Sequence, residues 1–99
     1  MKTMSRKPTS PGEILNEEFL VPMGLTQKQL AEHIGCDIKV INRIINERTS
    51  VTAEMALKLS SALRTTPDFW LNAQNAVDIY SASRKLTRLP PPLSHRKVG

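Results

Sequence analysis

The sequence predicts an all-α fold of about five short helices in one domain. Three observations support this prediction. Apolar residues recur at helical spacing in successive segments, most of these segments begin at a capping residue or a proline, and no segment alternates apolar and polar residues as a strand would. A chain of 99 residues also has the usual size of one hydrophobic core.

The net charge of +5 is unevenly distributed along the chain. Residues 1–10 contain three basic residues and residues 82–99 contain five, and neither segment contains an acid. Residues 11–81 hold six basic and nine acidic residues, a net charge of −3. We therefore expect a folded domain over 11–81, between a flexible basic arm and a flexible basic, proline-rich tail. The total charge alone is weak support for nucleic-acid binding.

Several classes of protein are excluded by composition. No apolar run approaches the roughly 18 residues that span a bilayer, and the first ten residues lack the apolar stretch of a signal peptide, so we expect a cytoplasmic protein without a membrane segment. The single cysteine, Cys36, excludes an intrachain disulfide, and with His33 it offers too few ligands for zinc. No serine or cysteine has a recognisable catalytic base, so we expect no cofactor, no metal and no catalytic residue.

The helix boundaries follow from local signals. The first helix is expected to open at Pro11-Gly12 and to end at Pro22–Gly24. The N-caps predicted for the next four helices are Thr26, Asp37, Thr52 and Thr66. The fifth helix is expected to end near Tyr80, because the residues that follow have no apolar face.

The most specific pattern is a helix-turn-helix over residues 26–46. This motif needs a small residue where its two helices cross, a turn residue between them, and apolar positions that fix the second helix on the first. Ala31, Gly35, Ile41 and Ile44 meet these needs in the expected order. An ordinary helical hairpin is the alternative interpretation.

Residues 24–63 resemble the Cro/C1 family of helix-turn-helix regulators. The resemblance implies a Cro/C1 repressor-like DNA-binding domain whose second motif helix enters the major groove and contacts base edges. Lysine and arginine suit guanine, asparagine suits adenine, and aliphatic side chains suit thymine methyl groups. The candidate base-contacting residues are therefore Ile38, Lys39, Val40, Asn42 and Arg43.

The phosphate backbone would be bound at both ends of the motif. The first helix turn offers free N–H groups and the positive end of the helix dipole, and basic and hydroxyl side chains follow the second helix. The candidate phosphate-binding residues are Thr26, Gln27, Lys28, Arg48 and Thr49. One departure from the family is Glu47, where members often carry glycine, and its carboxylate weakens the prediction for this loop.

A narrower resemblance extends over residues 11–80. The segments PGEIL, EFL and TPDFWLNAQ resemble the HigA/VapI-type antitoxins. This resemblance implies a repressor of its own operon that also neutralises a HigB toxin, a RelE-like ribonuclease that cuts mRNA. Two alternatives stay open: a general or phage-like Cro/C1 regulator without a toxin, and a protein-interaction module that no longer binds DNA, which the acidic body keeps possible.

A homodimer on a palindromic operator is expected, because one short helix-turn-helix contacts only a few base pairs. The fifth helix carries two overlapping apolar stripes, of which one could lie in the core and the other on a partner. The candidate dimer contacts are Phe69, Trp70, Val77 and Tyr80. A role in the core alone is the alternative.

Overall fold

The computed structural model describes residues 6–93, so the first half of the predicted arm and the end of the predicted tail lie outside the described residues. Five helices form this part of the chain, and it contains no strand. The first, α1, joins an α-helical turn, Pro11–Ile14, to a π-helical segment, Leu15–Leu20, and a last turn, Val21–Met23. The others are α2 (Gln27–Ile34), α3 (Ile38–Ile45), α4 (Ala53–Leu63) and α5 (Pro67–Lys85). The predicted all-α fold is confirmed.

The helix caps are those that the sequence predicts. The side chains of Thr26, Asp37, Thr52 and Thr66 each accept a backbone N–H in the first turn of their helix. At Thr26 the cap is reciprocal, because the Gln29 side chain accepts the N–H of Thr26 in return. Ser10, which the sequence analysis did not single out, caps α1 in the same way and is itself buried.

The π-helical segment of α1 ends just before Pro22. Proline has no N–H to donate to an upstream carbonyl, and its ring clashes with a regular α-helical turn before it. In the wider π-helical turn the N–H of Val21 donates to the carbonyl of Asn16, five residues back. This turn lies directly before Pro22. Gly24 then ends the helix in the left-handed region, at φ 66°, as the predicted stop requires.

One hydrophobic core joins all five helices. Its most deeply buried members come from α1, α3, α4 and α5, and include Leu15, Ile41, Leu59 and Trp70, all fully buried. The indole Nε1 of Trp70 donates to the hydroxyl of Thr65 at 2.7 Å, so this tryptophan has no unsatisfied polar atom in the core. No described helix is both long enough and apolar enough to cross a membrane.

α5 is longer than the sequence predicts. It continues past Tyr80 to Lys85, so the predicted end near Tyr80 is wrong. The guanidinium of Arg84 lies 5.6 Å from the centre of the Tyr80 ring, one turn back on the same helix. Arg84 and Lys85 also place positive charge at the negative end of the helix dipole, which favours the extra turn.

α1 makes a close backbone contact with the C-terminal end of α3. Gly12 is buried, and a Cβ at this position would collide with the carbonyl oxygen of Ile44 and would stand only 2.7 Å from the Cα of Ile45. These are backbone atoms, so they cannot move aside by a side-chain rotation. Only glycine allows α1 to pack this closely against α3.

We predict that Gly12→Ala destabilises the fold. The cost is expected at or above the upper end of the roughly 1–3 kcal/mol that overpacking usually costs, because backbone must shift to admit the methyl group. Urea unfolding of the variant measures this change in free energy. Glu17→Ala, an exposed change on the same helix, is the control and should stay near the wild type. Equal stability of Gly12→Ala and wild type would contradict the packing described here.

Candidate nucleic-acid interface

α3 is amphipathic: one face packs in the core and the other is exposed to solvent. Ile41 and Ile44 are buried in the core, and Ala31 of α2 is buried where the two helices pack together. Gly35 turns the chain between them at φ 76°. The arrangement predicted for the helix-turn-helix is therefore present, with α3 ending at Ile45 and Asn46 as its C-cap.

The outer face of α3 presents most of the predicted base-contacting side chains to solvent. Lys39, Asn42 and Arg43 are exposed, and Ile38 is 43% exposed. Val40 is different, because it is half-buried and packs against the core. Ile38 is thus better placed than Val40 to meet a thymine methyl group.

These side chains and one residue of α2 surround a shallow depression. It is lined by Gln27, Ile38, Lys39, Asn42 and Arg43. Within it the Nδ2 of Asn42 donates to the Oε1 of Gln27 at 3.2 Å. This bond leaves the Asn42 Oδ1 as an acceptor and the Gln27 Nε2 as a donor. A candidate phosphate-binding residue and a candidate base-contacting residue therefore hold each other in place.

The N-terminus of α2 is suited to bind an anion. The capping box uses the N–H groups of Thr26 and Gln29, and the N–H of Leu30 donates to the carbonyl of Thr26. Within residues 6–93, the N–H groups of Gln27 and Lys28 have no acceptor. They stand at the positive end of the α2 dipole, beside the depression described above.

The loop between α3 and α4 holds the second predicted phosphate contact. Arg48 and Thr49 are exposed in this loop and face a groove between it and α5. The structure therefore places them apart from the depression on α3. Their role as phosphate ligands stays a prediction.

Glu47 adopts the left-handed conformation, with φ 58°, which explains why glycine suits this position. Its carboxylate accepts a hydrogen bond from the Nζ of Lys7 at 2.6 Å. This bond and the charge of Glu47 raise the pKa of Lys7 above its ordinary value. The basic arm thus partly neutralises the carboxylate, a long-range contact that no local pattern in the sequence indicates.

The candidate dimer contacts divide between core and surface. Trp70 is fully buried in its own subunit, so its inclusion as a dimer contact was wrong. Phe69 is 39% exposed although its ring packs edge-on against Trp70 at 5.1 Å, and Val77 and Tyr80 are half-buried. Ile79, which lies on neither predicted stripe, is 54% exposed.

Within the part of the chain that the structure describes, His33 and Cys36 do not join a third metal ligand. His33 is exposed, and Cys36 is half-buried in the turn. Burial raises the pKa of the Cys36 thiol, which favours the unreactive protonated form. Among residues 6–93, no three His, Cys, Asp or Glu side chains come together as metal ligands would.

Comparison with known proteins identifies the family. A helix-turn-helix family model matches residues 17–70. The antitoxin HigA-1 of Vibrio cholerae is 45% identical over 85 residues, which cover 86% of this chain and 80% of that protein. The solved structure of the antitoxin GraA in complex with its operator is 41% identical, with a TM-score of 0.78, and the match covers 92% of this chain and 99% of that one.

A third comparison has lower identity but the same fold. The antitoxin HigA of Pseudomonas aeruginosa, solved with the higBA promoter, is 28% identical with a TM-score of 0.78, over 87% of this chain and 99% of that one. Family model, sequence relatives and solved structures all agree with the motif that α2 and α3 form. The chain therefore belongs to the helix-turn-helix family, and within it to the group of HigA-type antitoxins.

Proposed function

We propose that this protein is a sequence-specific DNA-binding autorepressor and the antitoxin of a HigB-type, RelE-like ribonuclease toxin. The observation that carries the DNA-binding part is the exposed set of Lys39, Asn42 and Arg43, held beside the anion-binding end of α2. The operator complexes of the relatives support the same role. The toxin partner is inferred from the relatives named as HigA antitoxins.

The proposed mechanism is binding without catalysis. α3 enters the major groove, where Lys39 and Arg43 donate to guanine O6 and N7 and Asn42 pairs with adenine. The N–H groups of Gln27 and Lys28 hold a phosphate and fix the depth and register of α3. A dimer that covers the promoter excludes the transcription machinery from it. Its place of action is the cytoplasm, where a bacterial promoter is found.

The base contacts are tested with the double variant Lys39→Ala, Arg43→Ala. Each good base contact is worth roughly 1–3 kcal/mol of discrimination, so the pair should lower the preference for the protein's own promoter over random DNA by at least about tenfold. Titration of both DNAs measures the ratio. The matched control is Lys58→Ala with Arg64→Ala, which removes the same two charges from the region of α4, away from the depression on α3.

A folded double variant that still prefers its promoter would remove both residues from the base-contacting role. The same variant separates the two proposed activities. Growth rescue on co-expression with the toxin should survive, because α3 is proposed to face DNA and not the toxin. If the neighbouring gene encodes no small basic RelE-like protein and no rescue occurs with wild type, the protein is a regulator without a toxin.

The dimer is proposed to form through α5. Phe69, Ile79 and Tyr80 offer apolar surface there, and two α3 helices can enter successive major grooves only when they stand about 34 Å apart. We predict that Ile79→Asp weakens dimerisation at least about tenfold, since a carboxylate would be buried without a partner. Sedimentation velocity measures the dimer. Asn72→Asp, an exposed change on the same helix, should leave it intact.

Footprinting provides the second measurement for the dimer. Wild type should protect a two-fold symmetric site with half-sites a whole number of helical turns apart. The Ile79→Asp variant should need a higher concentration for the same protection. An unchanged sedimentation coefficient and footprint would place the dimer contact elsewhere.

We expect the charge of Glu47 to influence the affinity for DNA and not the preference for one DNA sequence. Glu47→Gln removes one negative charge from the phosphate-facing loop without changing its length or its backbone. At the surface such a charge is worth up to about 1 kcal/mol, so binding to promoter and random DNA should both tighten by roughly two- to fivefold. Glu54→Gln is the matched control, because Glu54 also pairs with a lysine, at 3.4 Å, but lies on α4. If the Glu47→Gln and Glu54→Gln variants bind DNA with the same affinity, Glu47 does not face phosphate.

A further inference from the structure

The loop over residues 46–52 has few attachments of its own. At its start the N–H of Glu47 donates to the carbonyl of Ile44 and the N–H of Arg48 donates to the carbonyl of Arg43. The backbone N–H groups of Thr49 and Ser50 have no acceptor within the described chain. The side that carries Arg48 and Thr49 is therefore held at its start by α3 and by the contact of Glu47 with Lys7.

The other end of the loop is held by a side chain of α5. The N–H of Val51, whose residue is 4% exposed, donates to the Oε1 of Gln74 at 2.9 Å. The two residues are 23 positions apart in the sequence. Without Gln74 this N–H, in a largely buried residue, would lose its acceptor, and folded proteins generally pair such groups. The hydrogen bond therefore fixes the end of the loop to α5.

The orientation of the Gln74 amide is set by a second contact. Its Nε2 donates to the Oδ1 of Asp78 at 3.0 Å, one turn along α5. A carboxylate only accepts hydrogen bonds, so Asp78 selects the amide nitrogen and leaves the amide oxygen for Val51. Arg48, Thr49, Gln74 and Asp78 all line one groove, with the loop as one wall and α5 as the other.

We propose that Gln74 is a positioning residue for DNA binding: through Val51 it holds the loop so that Arg48 and Thr49 meet a phosphate, and Asp78 orients it for this task. This inference rests on the proposed DNA-binding function and adds α5 to the parts of the molecule that determine affinity. Gln74 touches no DNA itself. Since the loop contacts phosphate and not bases, Gln74 should influence affinity without influencing sequence preference.

The test uses Gln74→Met in the full chain, because methionine keeps the length of the side chain and removes the acceptor. Affinity for the promoter and for random DNA should fall together by roughly tenfold, the size expected when a charge-assisted phosphate contact is lost. The salt dependence should flatten by about 0.9 in log–log slope, since only Arg48 of the two loop residues displaces a counterion. The matched control is Asn75→Met, the same kind of change at an exposed neighbour on α5.

Binding is measured well below the melting temperature of each variant, so that global unfolding does not enter. Asp78→Ala is the second variant. It removes the acceptor that orients Gln74 but also a negative charge that lines the groove, and Gln74 keeps its acceptor oxygen, so its affinity for DNA should lie above that of Gln74→Met. Lower thermal stability with unchanged affinity and salt slope would overturn the proposal, as would a selective loss of promoter preference. If wild type shows no preference for its promoter, the DNA-binding proposal fails and this inference fails with it. If wild type prefers its promoter and Gln74→Met binds DNA with the same affinity as wild type, only the inference about Gln74 is refuted.

Discussion

The close approach of α1 to the end of α3 is the constraint on which the recognition surface depends. A glycine at position 12 allows two helix backbones to meet without a side chain between them, in contact with Ile44 and Ile45. The buried cap Ser10 and the loop at Glu47 lie in the same region, around one groove. Because α3 is fixed at this end and by Ile41 at its middle, its outer face has one position relative to the rest of the domain. A base contact needs such a defined position.

An aromatic cluster connects this constraint to the opposite end of the chain. Phe19 of α1 packs on both Phe69 and Trp70 of α5, with ring centres 6.4 and 5.6 Å apart. α5 is thus anchored by its first turn, while its later turns extend towards Lys85 with Ile79 exposed. Gln74 attaches the middle of this helix to the loop before α4, so Phe69 and Ile79, the exposed large apolar side chains of α5, have fixed positions on the body, as the proposed dimer would require.

The sequence predicts most of what depends on neighbours along the chain. The caps at Thr26 and Asp37 and the stop at Gly24 are local effects of side-chain oxygens and backbone freedom, and all are confirmed. Contacts between distant segments were missed, namely those of Gly12 with Ile44 and of Gln74 with Val51. The sequence also does not predict which apolar side chains of α5 are exposed. Helical spacing shows which apolar residues lie on one side of the helix, but it does not show which of them the core covers.

The charge pattern shows why position matters more than total charge for this protein. Residues 11–81 carry net negative charge, yet the exposed outer face of α3 has Lys39 and Arg43 and no acid. The carboxylate at its start, Asp37, precedes the helix and caps it. The carboxylate of Glu47 forms a salt bridge with Lys7. Acidic side chains elsewhere on the body repel DNA and disfavour approach in other orientations. On a body of net negative charge, Lys39 and Arg43 give the outer face of α3 a local positive charge, and in the proposed complex this charge would draw that face towards DNA.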